Sequence, residues 1–251
     1  MKKLLLILLP VTLFLVSCGG GEDELQPVDP IDPIDPIDNT YTYIPNDNFE
    51  LRLIEMGLDN IFNDTVLTSA IDTVTILELW GNISNLTGIE NFVSLERLEL
   101  NIYANNINLT NIDLSFNLDL KYLNFIIDEN NSFSNIDLTN NIKLEWLYLE
   151  GMQISSIDLT QNIDLINLGI NETNIEYLNV SHLTNLIDFS CRNNELVSLN
   201  IKNGNNLNML YFYCTGNDNL YCIEVDDVNY ANLNFTNIPS QSFFSEDCGV
   251  K

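Results

Sequence analysis

The chain has 251 residues, 36 of them acidic and 9 basic, so its formal net charge is −27. Such a chain has no cationic surface to offer phosphates, which argues against nucleic acid and anionic lipid as partners. Hydrophobic residues make up 45% of the chain, enough for a core, and the length allows one large domain or two small ones. The single histidine, His182, removes most metal sites and most histidine-based acid–base chemistry.

Residues 1–17 have the pattern of a signal peptide. Two lysines precede an apolar run from Leu4 to Val16, which is shorter than the roughly 20 residues that a membrane-spanning helix needs. The sequence at 15–18, Leu-Val-Ser-Cys, resembles a bacterial lipobox. The resemblance implies cleavage before Cys18 and lipid chains on that cysteine, so the membrane is contacted through a lipid anchor only. An ordinary secretory signal with a chance cysteine is the alternative.

Residues 18–43 are predicted to be an acidic tether. Three glycines and the acidic run at 22–24 follow Cys18, and this arrangement resembles the export signal of surface lipoproteins in some Gram-negative bacteria. A plain solvated spacer is the alternative. At 27–38 proline recurs every third residue, with aspartates at the same period, which matches the three-residue turn of polyproline II. We therefore expect a semi-rigid stalk on an outer membrane lipoprotein that is exposed on the cell surface.

Residues 44–73 are predicted to be an N-terminal cap that contains a short helix. Asp47 can cap this helix, with Glu50 three residues later as its capping-box partner, and Gly57 can end it. The apolar side chains that fall on one face of the helix are Phe49, Leu53 and Met56.

A pattern Leu-x-x-Leu-x-Leu, with close variants, recurs along residues 74–212. Its copies start at Val74, Leu95, Leu120, Leu144, Leu165, Leu186 and Leu207. The last copy places Leu207, Leu210 and Phe212 at the apolar positions. A second apolar set follows in each unit, and it falls in the same register once two insertions are subtracted. Self-similarity of this kind is the signature of a repeat protein.

This repeat resembles that of the leucine-rich repeat family. The resemblance implies a solenoid shaped as a horseshoe or arc and built mostly of β-structure. Its strands form a parallel concave sheet, the second apolar set packs on an extended convex side, and a short helical cap covers the N-terminal end. The family's asparagine ladder is only partly kept, with asparagine at Asn82, Asn131 and Asn194 but Met152 and Thr173 in two units. We expect those turns to be less regular.

The convex half carries the motif Ile-Asp-Leu-Ser/Thr-x-Asn at 112–117, 136–141 and 157–162. Its period-two alternation predicts extended chain and not a helix. The aspartates of the three motifs would stack roughly 5 Å apart, at a cost of about 1 kcal/mol per pair in water, which aspartate turn bonds can offset.

The outward side chains of the concave strands form the candidate ligand-binding surface. Among these outward side chains, the predicted ligand-binding residues are Trp80, Arg97, Glu99, Tyr122, Asn124, Trp146, Tyr148, Glu150, Arg192, Tyr211 and Tyr213. Exposed Trp and Tyr are enriched at protein-binding hot spots, which favours a protein or host ligand. Acidic neighbours such as Glu145 suggest that this partner carries positive or hydrogen-donating groups.

Two aromatic groups stand out on this surface. Tyr122, Trp146 and Tyr148 are predicted to lie together on adjacent strands, and Gly169 is predicted to leave a shallow dip between them and the tyrosines further along. Because flat aromatic faces can stack on sugars, the alternative function is a surface glycan-binding accessory that uses these three rings as a platform. Cross-strand packing of the sheet is the interpretation without a ligand.

Residues 213–251 are predicted to be a C-terminal cap. The segments 222–227 and 243–248 resemble the C-terminal cap of secreted bacterial leucine-rich repeat proteins. Four cysteines remain besides the lipidated one, which allows three full connectivities in an oxidising compartment. We favour Cys222–Cys248, which would tie the tail to the last turn. Cys191 and Cys214 are expected to be free, because their positions in successive units are offset by two residues.

We expect no catalysis, cofactor or metal. An open concave sheet offers no dry pocket to raise a carboxyl pKa, and no nucleophile–histidine pair can be built around His182. A calcium-dependent adhesin is an alternative that rests on acidic and amide side chains at 217–219 and 224–227, which lack EF-hand spacing. The expected partner is a protein or a glycan, bound by a monomer.

Overall fold

The computed structural model describes residues 40–103, 109–128 and 131–249. The predicted signal peptide, the lipidation site Cys18 and the tether up to residue 39 lie outside the described residues. None of the helices in the described ranges is long and apolar enough to span a membrane.

The described chain contains three short α-helices and many short strands. The helices are α1 (Asp47–Glu55), α2 (Thr68–Ile71) and α3 (Val228–Asn234). The strands, in chain order, are β1 (Tyr41–Tyr43), β2 (Thr65–Leu67), β3 (Ile76–Trp80), β4 (Arg97–Ile102), β5 (Tyr122–Ile127), β6 (Trp146–Glu150), β7 (Asn167–Asn171), β8 (Tyr177–Asn179), β9 (Asp188–Ser190), β10 (Ser198–Asn200), β11 (Tyr211–Tyr213), β12 (Cys222–Glu224) and β13 (Phe243–Ser245).

One parallel sheet forms the concave side, with the strand order β3-β4-β5-β6-β7-β9-β11. Each strand pairs with the equivalent strand of the next turn, so Leu98 lies opposite Leu123, which in turn lies opposite Leu147. These leucines are fully buried beneath the sheet. The parallel, leucine-lined β-solenoid that the repeat predicts is therefore confirmed.

The convex side is extended chain, as predicted. In the C-terminal half it becomes a second parallel sheet with the order β8-β10-β12-β13, which continues past residue 212 into the predicted cap. Asp113, Asp137 and Asp158 each accept a hydrogen bond of 2.9 Å from the backbone N–H two positions later. Hydrogen bonds from the serine or threonine at that position lower the pKa of each carboxyl. These hydrogen bonds within the turns offset the electrostatic repulsion among the three stacked aspartates.

The N-terminal cap differs from its prediction at the start of the helix. The helix is capped by Asn46, whose side chain accepts a hydrogen bond of 3.0 Å from the N–H of Phe49, and Asp47 is already the first helical residue. Asparagine and aspartate are equally good N-caps, so the sequence alone does not decide whether Asn46 or Asp47 caps the helix. Strand β1 pairs with β2, so the folded chain starts within the last residues assigned to the tether.

Glu50 is not a capping-box partner. Its carboxylate is buried and accepts hydrogen bonds from the N–H groups of Asn63, at 2.7 Å, and Thr65, at 3.2 Å. It thus holds the loop that leads into β2. The helix ends at Glu55, and Gly57, the residue predicted to end it, follows shortly after with φ at +74°, whereas Met56 is exposed and not part of the apolar face.

The last repeat is two residues longer than predicted. Phe212 lies opposite Phe189, and Met209 takes the buried position that was assigned to Leu207. Leu207 and Leu210 are instead 68% and 73% exposed. The extra residues form a wider turn at 203–208, which is held by the carboxylate of Asp226 through the N–H groups of residues 204 and 206.

The cysteines divide into one disulfide and two free thiols. Cys222 and Cys248 are bonded, with Cα atoms 5.9 Å apart, as predicted. Cys191 and Cys214 are free and buried, also as predicted, and burial raises the pKa of the Cys191 thiol well above its ordinary value. The predicted two-residue offset between them is wrong, because the longer last repeat places both cysteines at equivalent positions of neighbouring turns.

A column of buried asparagines joins successive turns at the end of the convex motif. Asn141 donates hydrogen bonds of 3.0 Å to the carbonyls of Leu114 and Asn117, and Asn162 donates equally to those of Leu138 and Asn141. Each asparagine side chain therefore donates hydrogen bonds to two buried main-chain carbonyl groups, which would otherwise lack a hydrogen-bond donor. The single histidine, His182, is partly buried, and its Nε2 lies 3.0 Å from the carbonyl oxygen of Leu159 in the preceding turn.

The predicted ladder after the concave strands is present only in part. Asn131 donates to the carbonyl of Gly151 at 2.7 Å, and Asn194 donates to that of Ile170 at 2.8 Å. Asn82 is exposed and does not belong to the ladder. Asn217, which belongs to a segment considered as a calcium site, is a ladder member and donates hydrogen bonds to the carbonyls of both free cysteines.

The asparagine column gives a direct test of what holds the turns together. Asn141→Ala removes both hydrogen bonds and should lower the free energy of unfolding by about 2 kcal/mol, measured by urea denaturation. The matched control is Asn140→Ala, because this neighbouring asparagine is exposed and its contact with the Ser115 carbonyl is long, at 3.5 Å. The control should change the free energy by less than about 0.5 kcal/mol. Equal effects of the two substitutions would contradict the role of the column.

Candidate functional site

Straight rows of side chains cross the concave face, because the strands pair without stagger. One row contains Tyr122, Trp146, Asn167, Asp188 and Tyr211, and the next contains Asn124, Tyr148, Gly169, Ser190 and Tyr213. Aromatic residues of β6 and β11 thus stand on either side of the small and polar residues of β7 and β9.

The rings of β5 and β6 stack on each other instead of forming a flat surface. The ring of Tyr122 lies against that of Trp146 with centroids 5.4 Å apart and planes inclined by 20°. The guanidinium of Arg97 lies 3.8 Å above the ring of Tyr122 and pairs with the carboxylate of Glu99. Tyr122 is therefore covered by both neighbours, and the predicted platform of three open rings is not formed.

Tyr148 leans over the backbone of the next strand. A Cβ atom on Gly169 would lie only 2.3 Å from Cδ2 of Tyr148, so the ring packs where a side chain is missing. The Tyr148 hydroxyl donates a hydrogen bond to the carboxylate of Glu150. Burial and this carboxylate raise the pKa of Tyr148 above its ordinary value.

A pocket with a volume of about 440 Å³ lies at Gly169 and the neighbouring strands, although the Tyr148 ring takes the space directly beside Gly169. We call it the aromatic slot. Its walls are Trp146 and Tyr148 on one side and Tyr211 and Tyr213 on the other, and its floor contains Asn167, Gly169, Asp188 and Ser190. Rigid strands carry all of these residues, so the slot is preformed.

The floor of the slot contains a carboxylate that is not paired. The Oδ1 atom of Asp188 is buried and has no hydrogen-bond partner. Burial raises the pKa of this carboxyl above its ordinary value. Asn171 holds two residues that follow Asp188 on the same chain segment, Ser190 and Arg192. Its Oδ1 accepts hydrogen bonds from the Ser190 hydroxyl, at 2.7 Å, and from the Arg192 backbone N–H, at 2.9 Å.

All three arginines of the chain lie over aromatic rings of the concave face. Arg52 of α1 lies 3.1 Å above the ring of Trp80, and Arg192 lies 5.8 Å from the ring centre of Tyr213. Arg97 on Tyr122 is the third. Stacking of guanidinium groups on rings is therefore a general property of this surface.

The structure brings five of the eleven predicted ligand-binding residues together in the slot. Trp146, Tyr148, Arg192, Tyr211 and Tyr213 line it. Tyr122, Asn124 and Glu150 border the β6 wall, Arg97 and Glu99 pair with each other on β4, and Trp80 lies on the edge strand β3. The predicted set omitted Asp188, Asn167 and Ser190, although they occupy the outward positions of strands that the repeat had located.

The acidic side chains near the C-terminal end serve the fold. Asp226 holds the wide turn, and Asp227 caps α3 through the N–H of Tyr230 at 3.0 Å. Among the residues that the structure describes, no group of three or more His, Cys, Asp and Glu side chains is placed to hold a metal ion.

Comparison with known proteins gives similarity at the level of structure only. No family model and no curated protein matches the chain. The functional domain of InlJ from Listeria monocytogenes is similar over 81% of this chain and 70% of its own, with 16% identity and a TM-score of 0.34. An internalin from the same species, InlF, is similar over 81% and 71%, with 18% identity and a TM-score of 0.48.

A leucine-rich repeat protein from Leptospira interrogans is similar over 63% of this chain and 51% of its own, with 16% identity and a TM-score of 0.40. The assignment of this chain to the leucine-rich repeat type of solenoid rests on its own strand register and buried leucines.

Proposed function

We propose that this protein is a lipid-anchored binding protein of the cell surface that recognises a protein partner through its concave face. The observation that carries the proposal is the aromatic slot, in which four partly exposed rings surround a small polar floor on a rigid sheet. Aromatic anchors at the centre of a preformed surface are what protein-binding hot spots require.

The glycan alternative is less well supported by the ring geometry. A sugar ring needs an open aromatic face, and Tyr122 offers none because Arg97 and Trp146 cover it. Of the predicted platform, Trp146, which is 37% exposed, and Tyr148 line the slot, whereas Tyr122 does not. The proposed activity is binding and not catalysis, since the slot is open to solvent and contains a single carboxyl group on its floor.

The anchor and the surface location are proposed from the sequence at 15–24. In cell fractionation the unaltered protein should partition with the membrane, and Cys18→Ser should release it into the soluble fraction, because the lipid chains supply the membrane affinity. Protease added to intact cells should remove the domain of the unaltered protein. Identical fractionation of the two proteins would contradict lipid anchoring, and a protease-resistant domain would contradict surface display.

Binding through the slot is tested by capture with the compact unit Asp38–Lys251 as bait. Trp146→Ala and Tyr211→Ala should each weaken retention of a captured protein at least about tenfold, since each removes an aromatic anchor. The matched control is Tyr177→Ala, because this exposed tyrosine lies on the convex strand β8. Equal retention by all three variants would contradict the proposal, and binding of neutral glycans instead of proteins would favour the alternative.

A further inference from the structure

We infer that the aromatic slot binds the guanidinium group of a partner's arginine, which stacks on Trp146 and pairs with the carboxylate of Asp188. This inference deepens the proposed function and rests on it. Three independent features of the slot support it: an unpaired carboxylate, an open ring face, and two arginines of the chain itself that are held in the same way elsewhere on this surface.

The first feature is the carboxylate. Asp188 Oδ1 is buried without a hydrogen-bond partner, and the ion pairs among the described residues join other acids. The side chain of Asp188 as a whole is only partly buried and lines the slot, so a guanidinium group in the slot can pair with its carboxylate. Partial burial raises the pKa of the Asp188 carboxyl above its ordinary value, as expected for a carboxylate without an ion-pair partner.

The second feature is the open face of Trp146. One side of its ring packs on Tyr122, and its other side is turned toward Asn167 and the slot. Asp188 lies in the same row as Trp146, two strands away from it. At the ordinary spacing of neighbouring strands, the main chains of these two residues are about 10 Å apart. A planar guanidinium fits between a ring on one wall and a carboxylate on the floor, and its fork of N–H groups suits a carboxylate better than an ammonium does.

The third feature is that this surface already holds arginines in the same manner. Arg97 lies on the ring of Tyr122 and pairs with Glu99, and Arg52 lies on the ring of Trp80 and pairs with Glu55. Each guanidinium is thus shared between an aromatic ring and a carboxylate. Trp146 and Asp188 supply the same two groups, and no arginine of the chain occupies them.

The charges around the slot also favour a cation. The chain carries a net charge of −27, and Glu145 precedes the β6 wall. The one basic side chain that lines the slot, Arg192, lies on the opposite side against Tyr213 and leaves Asp188 unpaired. An acidic surface attracts basic partners over distances of a Debye length, about 8 Å at physiological salt.

The chain contains two tryptophans, so the indole N–H signals in an NMR spectrum can be assigned by Trp80→Phe and Trp146→Phe. The probe is the peptide acetyl-Gly-Arg-Gly-amide, titrated into the unit Asp38–Lys251. We expect a saturable shift of the Trp146 signal and none of the Trp80 signal, because Arg52 already covers that ring. The peptide with citrulline in place of arginine, which has the same shape without the charge, should bind at least tenfold more weakly.

Asp188→Asn should weaken binding of the arginine peptide by at least tenfold, since it keeps the shape of the floor and removes its charge. The matched control is Glu78→Gln, an exposed outward position on β3, which should leave the affinity unchanged. The inference is overturned by the absence of a saturable shift, by equal binding of the citrulline peptide, or by unchanged binding in Asp188→Asn. Saturable binding of a neutral oligosaccharide that survives Asp188→Asn would also overturn it, by assigning the slot to sugars.

The failure of this inference is distinguishable from that of the proposed function. If a captured protein is lost on Trp146→Ala but fully retained by Asp188→Asn, the concave face binds the partner without an arginine in the slot. If it is retained by both variants, the slot is not the binding surface.

Discussion

Each turn in the middle of this solenoid is joined to the preceding one by the amide of a buried asparagine. Such an amide reaches two carbonyl groups at once, as Asn141 does with Leu114 and Asn117. A tight turn inside a solenoid cannot expose these carbonyls to water, so they need a donor from the protein. The asparagine supplies it only when the two turns stand directly above one another, and the column therefore enforces the register of the repeats.

That register determines what the concave face presents. Because equivalent residues stand side by side, a change of residue type from one repeat to the next becomes a change across the surface. Large rings on β6 and β11 and small or polar residues on β7 and β9 thus produce a slot without any change in the backbone. The same closeness of neighbouring strands lets Tyr122, Trp146 and Arg97 stack, which covers three of the four ring faces of Tyr122 and Trp146 and leaves one face of Trp146 open.

The sequence predicted the architecture well because burial alternates along most of the concave strands, as in β4 and β5. Apolar spacing gave the inward leucines and the outward concave residues, whereas Cys222–Cys248 was favoured among three connectivities for a tail that resembles a C-terminal cap. The last repeat was placed two residues too early because Leu207 and Leu210 imitate the apolar spacing while they lie exposed on a wide turn. The stacking of the rings and the isolation of Asp188 depend on contacts across strands, which no pattern along a single strand contains.

The central claim is that the partner contacts the slot and not the convex side, and site-specific photo-crosslinking tests it most directly. A benzophenone amino acid replaces Tyr211, on the wall of the slot, or Tyr177, an equally exposed tyrosine on β8. The account predicts that illumination of the complex links the partner to the chain substituted at position 211 and not to the chain substituted at 177. Linkage at 177 without linkage at 211 would contradict it.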